Sequence, residues 1–245
     1  MVLPTGESMA HERGRNHLLS SLSETDFALI KTRLEPVELV HRMSLEERNR
    51  PIEKICFPES GIASVVAISG QEQLEAGIIG REGMTGISVV LGDDRSANAT
   101  FIQVAGAGLW LDADALRKAM QKSGTMRLQF LRFVQAFMTQ MSHTALANGR
   151  AKVEERLARW LLMAHDRLDG KDLPLTHEFL ALMLGVRRAG VTTALQGLEE
   201  HGFISVKRGL IRMENRDGLV KFADALYGVP EAEYGRLTGW RKATG

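Results

Sequence analysis

One stretch constrains the fold of this chain more than any other: LTHEFLALMLGVRRAGVTTALQGLEEHGFISVKRGLIRM, Leu175 to Met213. Thr176, followed by His177, Glu178 and Phe179, is suited to open a helix, because a threonine hydroxyl satisfies the free N–H groups of a first turn. The helix FLALML then meets Gly185, the residue type that ends helices in a left-handed turn. Val186 plugs the corner. A second helix over Arg187–His201 puts Val191, Ala194, Leu195 and Leu198 on one face, and Arg188, Ala189, Thr192, Thr193 and Gln196 on the other. Two short helices joined by a tight glycine turn make a helix-turn-helix. The outer face of the second carries groups that read a major groove: arginine for guanine, glutamine for adenine, threonine methyls for thymine. After Gly202, FISVKRGLIRM reads as strand, turn and strand, a wing whose Lys207 and Arg208 meet phosphates. The expected DNA-binding set is therefore Thr176, Arg187, Arg188, Ala189, Thr192, Thr193, Gln196, Lys207 and Arg208. A helical hairpin used only for packing is the plainer alternative, but it leaves the basic hairpin and the polar outer face without a reason.

Upstream the periodicity differs. Between Val37 and Leu111 short apolar runs (VELVH, KICFP, IASVVAI, LEAGIIG, ISVVL, TFIQVAG, GLWL) alternate with Gly, Pro, Asn and Asp. Such spacing predicts several short strands in an antiparallel barrel or sandwich. GIIGREGMTG reads as a turn there, since it lacks the lysine-threonine ending of a P-loop. His17–Leu34 reads as a helix with a start at Ser23, Asp112–Ser123 as a short helix and Lys152–Arg167 as an amphipathic one. Thr125–Gly149 predicts a longer helix with two apolar stripes, one of Phe130, Phe133 and Phe137, the other of Leu131, Val134, Met138, Met141 and Ala145. A helix with two apolar faces needs two partners. The second stripe suits the same helix of another copy in a two-fold dimer.

Composition narrows the function. Among 245 residues the net charge is only +1, and a single cysteine, Cys56, excludes an internal disulfide, a four-cysteine iron–sulfur cluster and a thiolate zinc site. From Arg150 onward there are 16 basic and 13 acidic residues, against 15 and 17 before it. No apolar run approaches the ~20 residues of a membrane span. The opening MVLPTGESMAHERGRN has no secretory core, so a cytoplasmic protein without membrane attachment is expected. No His-carboxylate metal spacing, Gly-x-Ser-x-Gly elbow or activated thiol supports an enzyme.

VEERLARWLL, LTHEFLALMLGVRR and ALQGLEEHGFI resemble the DNA-binding domain of Crp/Fnr-type bacterial transcription regulators, and the resemblance extends over about residues 17–215. It implies an α+β chain: an N-terminal antiparallel β-roll like a cyclic-nucleotide-binding jelly roll, a long dimerisation helix and a C-terminal winged helix-turn-helix. The expected divisions are a flexible tail (1–16), a β-roll (17–124), a dimerisation helix (125–149), a winged helix-turn-helix (150–218) and an extension (219–245), in which Val220, Phe222, Ala223 and Leu226 suggest a short helix. The resemblance implies a homodimer on double-stranded DNA, with RNA polymerase as a further candidate partner.

Two departures qualify it. Family members usually show Arg, Glu and Arg where this chain has Arg188, Ala189 and Thr193, so their operator does not transfer. Their phosphate cassette, Gly-Glu then Arg-Ser, becomes Gly86-Ile87 then Arg95-Ser96. Gly86, Arg95 and Ser96 are thus the candidate effector residues, but Ile87 accepts no ribose hydrogen bond, which argues against cAMP. The seven histidines show no haem-ligand spacing. The reading from sequence is a homodimeric DNA-binding regulator of unknown effector with a degenerate nucleotide pocket; the competing one is a ligand-responsive module whose helical domain binds protein.

Overall fold

A computed structural model of the chain describes residues 14–239. Two sheets build the first half. One has the order β1-β7-β3 (Glu35–Leu39, Gly106–Asp112, Lys54–Pro58), the other β2-β6-β4-β5 (Ser44–Glu46, Ala99–Val104, Ile62–Ser69, Glu72–Ile79), and every pairing is antiparallel. The β4 run IASVV is buried throughout. Its side chains divide by the period of two: Ala63 and Val65 enter the core of the roll, whereas Ile62, with Ile78 of β5, enters a second core built mainly from the C-terminal helices. A strand covered on both faces reads as continuously apolar rather than alternating.

The helices are α1 (His17–Ser20), α2 (Glu24–Ala28), α3 (Ile87–Leu91), α4 (Ala113–Lys122), α5 (Gly124–Arg150), α6 (Val153–Arg167), α7 (His177–Leu184), α8 (Arg188–Glu200), α9 (Arg216–Ala223) and α10 (Val229–Thr238). Strands β8 (Asp172–Leu173), β9 (Ile204–Lys207) and β10 (Leu210–Met213) form a sheet of order β8-β10-β9. This is the mixed architecture expected, a β-roll followed by a long helix and a helix-turn-helix with a wing.

Several local expectations need correction. The helix read over His17–Leu34 is broken: Asn16 caps α1, Ser23 caps α2 by accepting from Asp26 N–H at 3.1 Å, and Lys31–Arg33 is a 3-10 turn. ISVVL, read as a strand, is α3, bounded by left-handed Gly86 and Gly92. The tail expected over 1–16 lies outside the described residues as far as residue 13. Asn16 is not loose: it is buried, and its amide donates to the carbonyls of Pro58 and Gly83 at 2.8 Å. The C-terminal extension holds α10 as well as α9. Gly228 N–H donates to the carboxylate of Glu231 at 2.9 Å, and Pro230 stands in the first turn.

α5 fastens the roll to the rest. At 27 residues it is about 40 Å long. Ser123 caps it and, with Thr125, donates a hydroxyl to Asp26 at 2.5 and 2.7 Å. Phe130, Phe133 and Phe137 are buried against the roll. Farther along, the Gln140 amide accepts from Ile78 N–H at 2.8 Å and donates to Ile78 C=O at 3.2 Å. β5 is an edge strand, and this side chain supplies the pairing that a further strand would give.

The two halves are joined through buried polar groups. Trp160 Nε1 of α6 donates to Glu75 Oε1 of β5 at 2.6 Å, and Ser64 Oγ donates to the other carboxylate oxygen at 2.7 Å. Arg167 Nε donates to Glu82 at 2.7 Å, with both side chains nearly buried. From α7, Phe179 packs edge-on to Phe101 of β6.

Burial pushes the Glu75 carboxyl up to about 7, against an ordinary value of 4.5. Between those values the folded chain holds a proton that the unfolded chain has released. Stability is therefore highest on the acid side and falls by roughly 3 kcal/mol as pH rises through the window. Glu75→Gln still offers an acceptor to Trp160 and removes the titration. Urea midpoints measured from pH 5 to pH 7.5 are expected to fall in the parent and to stay nearly level in E75Q; parallel curves would dismiss Glu75 as their source. Two turn glycines make a second comparison. Gly61 and Gly70 both have positive φ, but a Cβ at Gly61 would lie 2.5 Å from the Val104 carbonyl oxygen, whereas nothing lies within 4 Å at Gly70. Gly70→Ala should cost about 1–2 kcal/mol from conformation alone, and Gly61→Ala clearly more, by the same denaturation assay.

Candidate nucleic-acid interface

The reading motif is assembled from local signals. Thr176 Oγ1 accepts from Phe179 N–H at 3.3 Å and caps α7. Gly185 closes the turn at φ +60°, a backbone angle that favours glycine, and the end of the Leu74 side chain of β5 packs close to it. Arg187 is the extended residue before α8, which begins at Arg188. Val191, Ala194, Leu195 and Leu198 are buried, while Arg188, Ala189, Thr193 and Gln196 are exposed along the opposite face. Thr192 is half-buried. Its hydroxyl donates to the Arg188 carbonyl at 3.1 Å and lies 3.2 Å from His177 Nδ1, which ties the two helices together.

The hairpin turns at Arg208 and Gly209, the latter at φ +71°. Glu199 of α8 accepts from Val206 N–H at 2.8 Å and so fixes the wing to the recognition helix; nothing in the sequence pattern singled out that role. Arg212 is spent on Asp172 at 2.9 Å. By contrast Arg187, Arg188, Lys207 and Arg208 are exposed and make no ion pair among the described residues. The charge of Arg187 and Arg188 joins the positive N-terminal end of α8, so the exposed surface combines polar side chains with cations that make no ion pair.

The candidate effector residues stand in different surroundings. Ser96 borders a cavity of only about 80 Å³, beside Glu46, Ile87 and Thr100. Gly86 N–H donates to Glu46 Oε1 at 2.6 Å, and burial pushes the Glu46 carboxyl up while this bond opposes the shift. Arg95 is exposed and engaged locally with Asp94 at 3.3 Å and the Asn49 carbonyl at 3.4 Å. Burial, then Glu46, pushes the Cys56 thiol up to about 12, which suits a buried apolar residue.

The second stripe of α5 is only partly free. Leu131 and Met138 are 37% and 49% exposed and Ala145 is exposed, but Val134 is buried in the core of its own roll and Met141 packs against that core. Val134 is withdrawn from the exposed stripe because it lies about 50° off the line through Leu131 and Met138, on the side of Phe130. Leu128 and Leu146, not singled out in the sequence, are exposed as well. Among the described residues no cluster of three or more metal-ligating side chains occurs, and no helix is long and apolar enough to cross a membrane.

Comparison with known proteins agrees with this geometry. The family described as the Crp-like helix-turn-helix domain matches residues 155–222. No curated protein matches the sequence. Among solved structures the chain is similar to FixK2 from Bradyrhizobium japonicum, with a TM-score of 0.68 and 16% identity over 78% of this chain and 98% of that one. A putative transcriptional regulator of the Crp/Fnr family from Eubacterium rectale gives 0.63 and 17% over 84% and 97%. The c-di-GMP-responsive global regulator CLP from Xanthomonas campestris gives 0.62 and 14% over 78% and 99%. Residues 155–222 thus form a Crp-like helix-turn-helix domain, and the chain as a whole shares the fold of these solved structures.

Proposed function

We propose that this chain is a homodimeric, sequence-specific transcription regulator acting on double-stranded DNA. The observation that carries the reading is the exposed row Arg188, Ala189, Thr193 and Gln196 on α8, flanked by unpaired Lys207 and Arg208 on the wing. Arg188 and Gln196 are suited to base edges, and Arg187, Lys207 and Arg208 to phosphates. Thr176 sits exposed at the cap of α7, and Thr192 serves the internal packing of the motif.

Dimerisation is supported by the free stripe of α5. Leu128, Leu131, Gln135, Met138, Ser142 and Ala145 follow the alternating steps of three and four residues that mark a coiled-coil seam. Side chains shrink along it, from leucine to alanine, which lets two helices approach most closely at the end nearest the DNA-reading domains. The two reading heads of such a dimer fit a near-palindrome with half-sites one turn (~34 Å) apart.

For the effector, a cavity of about 80 Å³ compares poorly with the ~300–1,000 Å³ of ordinary ligand sites. Glu46 also occupies the Gly86 N–H and brings a carboxyl to the place where an anion would sit. Both points support a roll that takes no cyclic nucleotide in this conformation. A cytoplasmic location follows from the regulatory reading, and an RNA polymerase contact belongs to it as a further proposal.

Selection of genomic fragments at two salt concentrations without added ligand tests the reading. Recovery of a two-fold-symmetric site is expected, and absence of any DNA binding would favour the protein-binding alternative. On the recovered site Arg188→Ala should cost ~1–3 kcal/mol and relax one position, whereas Lys207→Ala should weaken all sequences and reduce the salt slope by about one. Met138→Asp, which puts a carboxylate in the seam, should give monomers by light scattering and lower affinity for the palindrome by roughly 10²-fold or more; an unchanged dimer would move the interface elsewhere.

A further inference from the structure

Beside α5, away from the DNA-reading face, lies a cavity of about 660 Å³ that no element of the regulatory reading uses. Five parts of the chain wall it: His17 of α1, residues 81–82 of the roll, α5, the α6–α9 side of the helical domain, and α10. Its size is that of pockets holding nucleotide- or drug-sized molecules (~300–1,000 Å³). Phe133, Ala136 and Phe137 of α5, with Val220 and Pro230, give it an apolar inner wall.

The charged groups of the wall fall into two sets. Glu82 and Asp166 are already engaged within it, Glu82 by Arg167 at 2.7 Å and Asp166 by Arg216 at 2.8 Å, and each carboxylate side chain is only 12% exposed. They present little free negative charge. Glu231 is likewise committed, to the Gly228 N–H. Arg81 and Arg236 differ. Their carboxylate partners, Asp169 and Glu233, stand outside the cavity, and in each pair one side chain is largely exposed to solvent. Arg236, 68% exposed, pairs with Glu233 in solvent, where such pairs are worth little, and can turn to a new anion; Arg81, 17% exposed and held also by the Leu168 carbonyl at 3.2 Å, is a fixed cation that a second carboxylate can join. A guanidinium fork matches a planar carboxylate, and an acyl or aromatic body complements the phenylalanine wall.

We infer that this cavity binds an amphipathic organic carboxylate, with its apolar body against Phe133 and Phe137 and its carboxylate at the rim formed by Arg81 and Arg236. The assignment goes beyond the DNA-binding reading and does not depend on it. It gives α10 a function, since that helix supplies Pro230 and Arg236 and closes one side of the site.

Calorimetric titration of the full chain with decanoate and, separately, with decyltrimethylammonium tests it. Decanoate should saturate at one per chain and bind at least about tenfold more tightly than the cation of the same chain length. Arg236→Glu, at an exposed position, and Ala232→Trp, which fills the mouth of the cavity, should each weaken decanoate by about tenfold or more. Equal binding of the two amphiphiles, no saturable binding of decanoate, or undiminished affinity in R236E would each overturn the assignment. Far-UV circular dichroism checks that the variants are folded, and R236E alone decides the question if A232W is not.

Discussion

The sheet β2-β6-β4-β5 has apolar side chains on both faces, and the rest of the molecule is arranged around covering it twice. One face closes the roll; Ile62, Ile78 and Val104 on the other are buried only because the C-terminal helices lie over them. Burying such groups is worth ~25 cal/mol for each Å² removed from water, so the helical domain is held by area before any polar contact is counted. The polar contacts then fix where it sits. Trp160 on Glu75 sets the position of α6 over β5, and Gln140 completes the free edge of the same strand. With α6 and α7 placed against the sheet, α8 packs on them through its apolar side and its polar side is left outward.

Charge placement depends on which cations are spent rather than on how many there are. Arg167, Arg212 and Arg216 are all committed to carboxylates within the helical half. The excess of three positive charges after Arg150 would be a weak argument for nucleic acid if it were spread evenly. It is not: Arg167, Arg212 and Arg216 are neutralised in place, and the cations at the start of α8 and on the wing make no ion pair among the described residues. The positive charge that is not neutralised is therefore concentrated around the exposed face of α8 and the wing.

What was legible in the sequence is what local chemistry decides. Thr176, Gly185 and the alternation of buried and exposed residues in α8 announce themselves over four or five positions, and the structure uses them as written. ISVVL misleads because a short β-branched run has no period of its own; the glycines on either side, both left-handed, turn it into one and a half turns of helix. Val134 misleads for a different reason. A helix packed obliquely on a roll buries residues at the margin of its second stripe, and the margin cannot be located without the roll. The contacts between halves, Trp160 with Glu75 and Arg167 with Glu82, join residues 85 apart and leave no trace in spacing. α10 is the one element whose signal was present and unread: Gly-Val-Pro-Glu, from Gly228, combines a first-turn proline with a glutamate that returns to the N–H before it.

α5 faces three ways at once, which ties the remaining features together. Its phenylalanines hold the roll, Gln129 and Ala136 face the side occupied by α10, and Leu131 and Met138 are left exposed to solvent. A rotation or shift of this helix that suited one of these sides would disturb the other two, because interiors packed at crystal-like density rearrange between discrete arrangements rather than deforming smoothly. Phe133 and Phe137 belong to the roll core and also to the wall of the large cavity. Phe137 lines the small cavity beside Glu46 as well, so both cavities abut the same helix. In this fold the position of α5 is the quantity that both cavities and the exposed stripe of Leu131 and Met138 share, so it is the natural element through which occupancy of either would reach the helix-turn-helix.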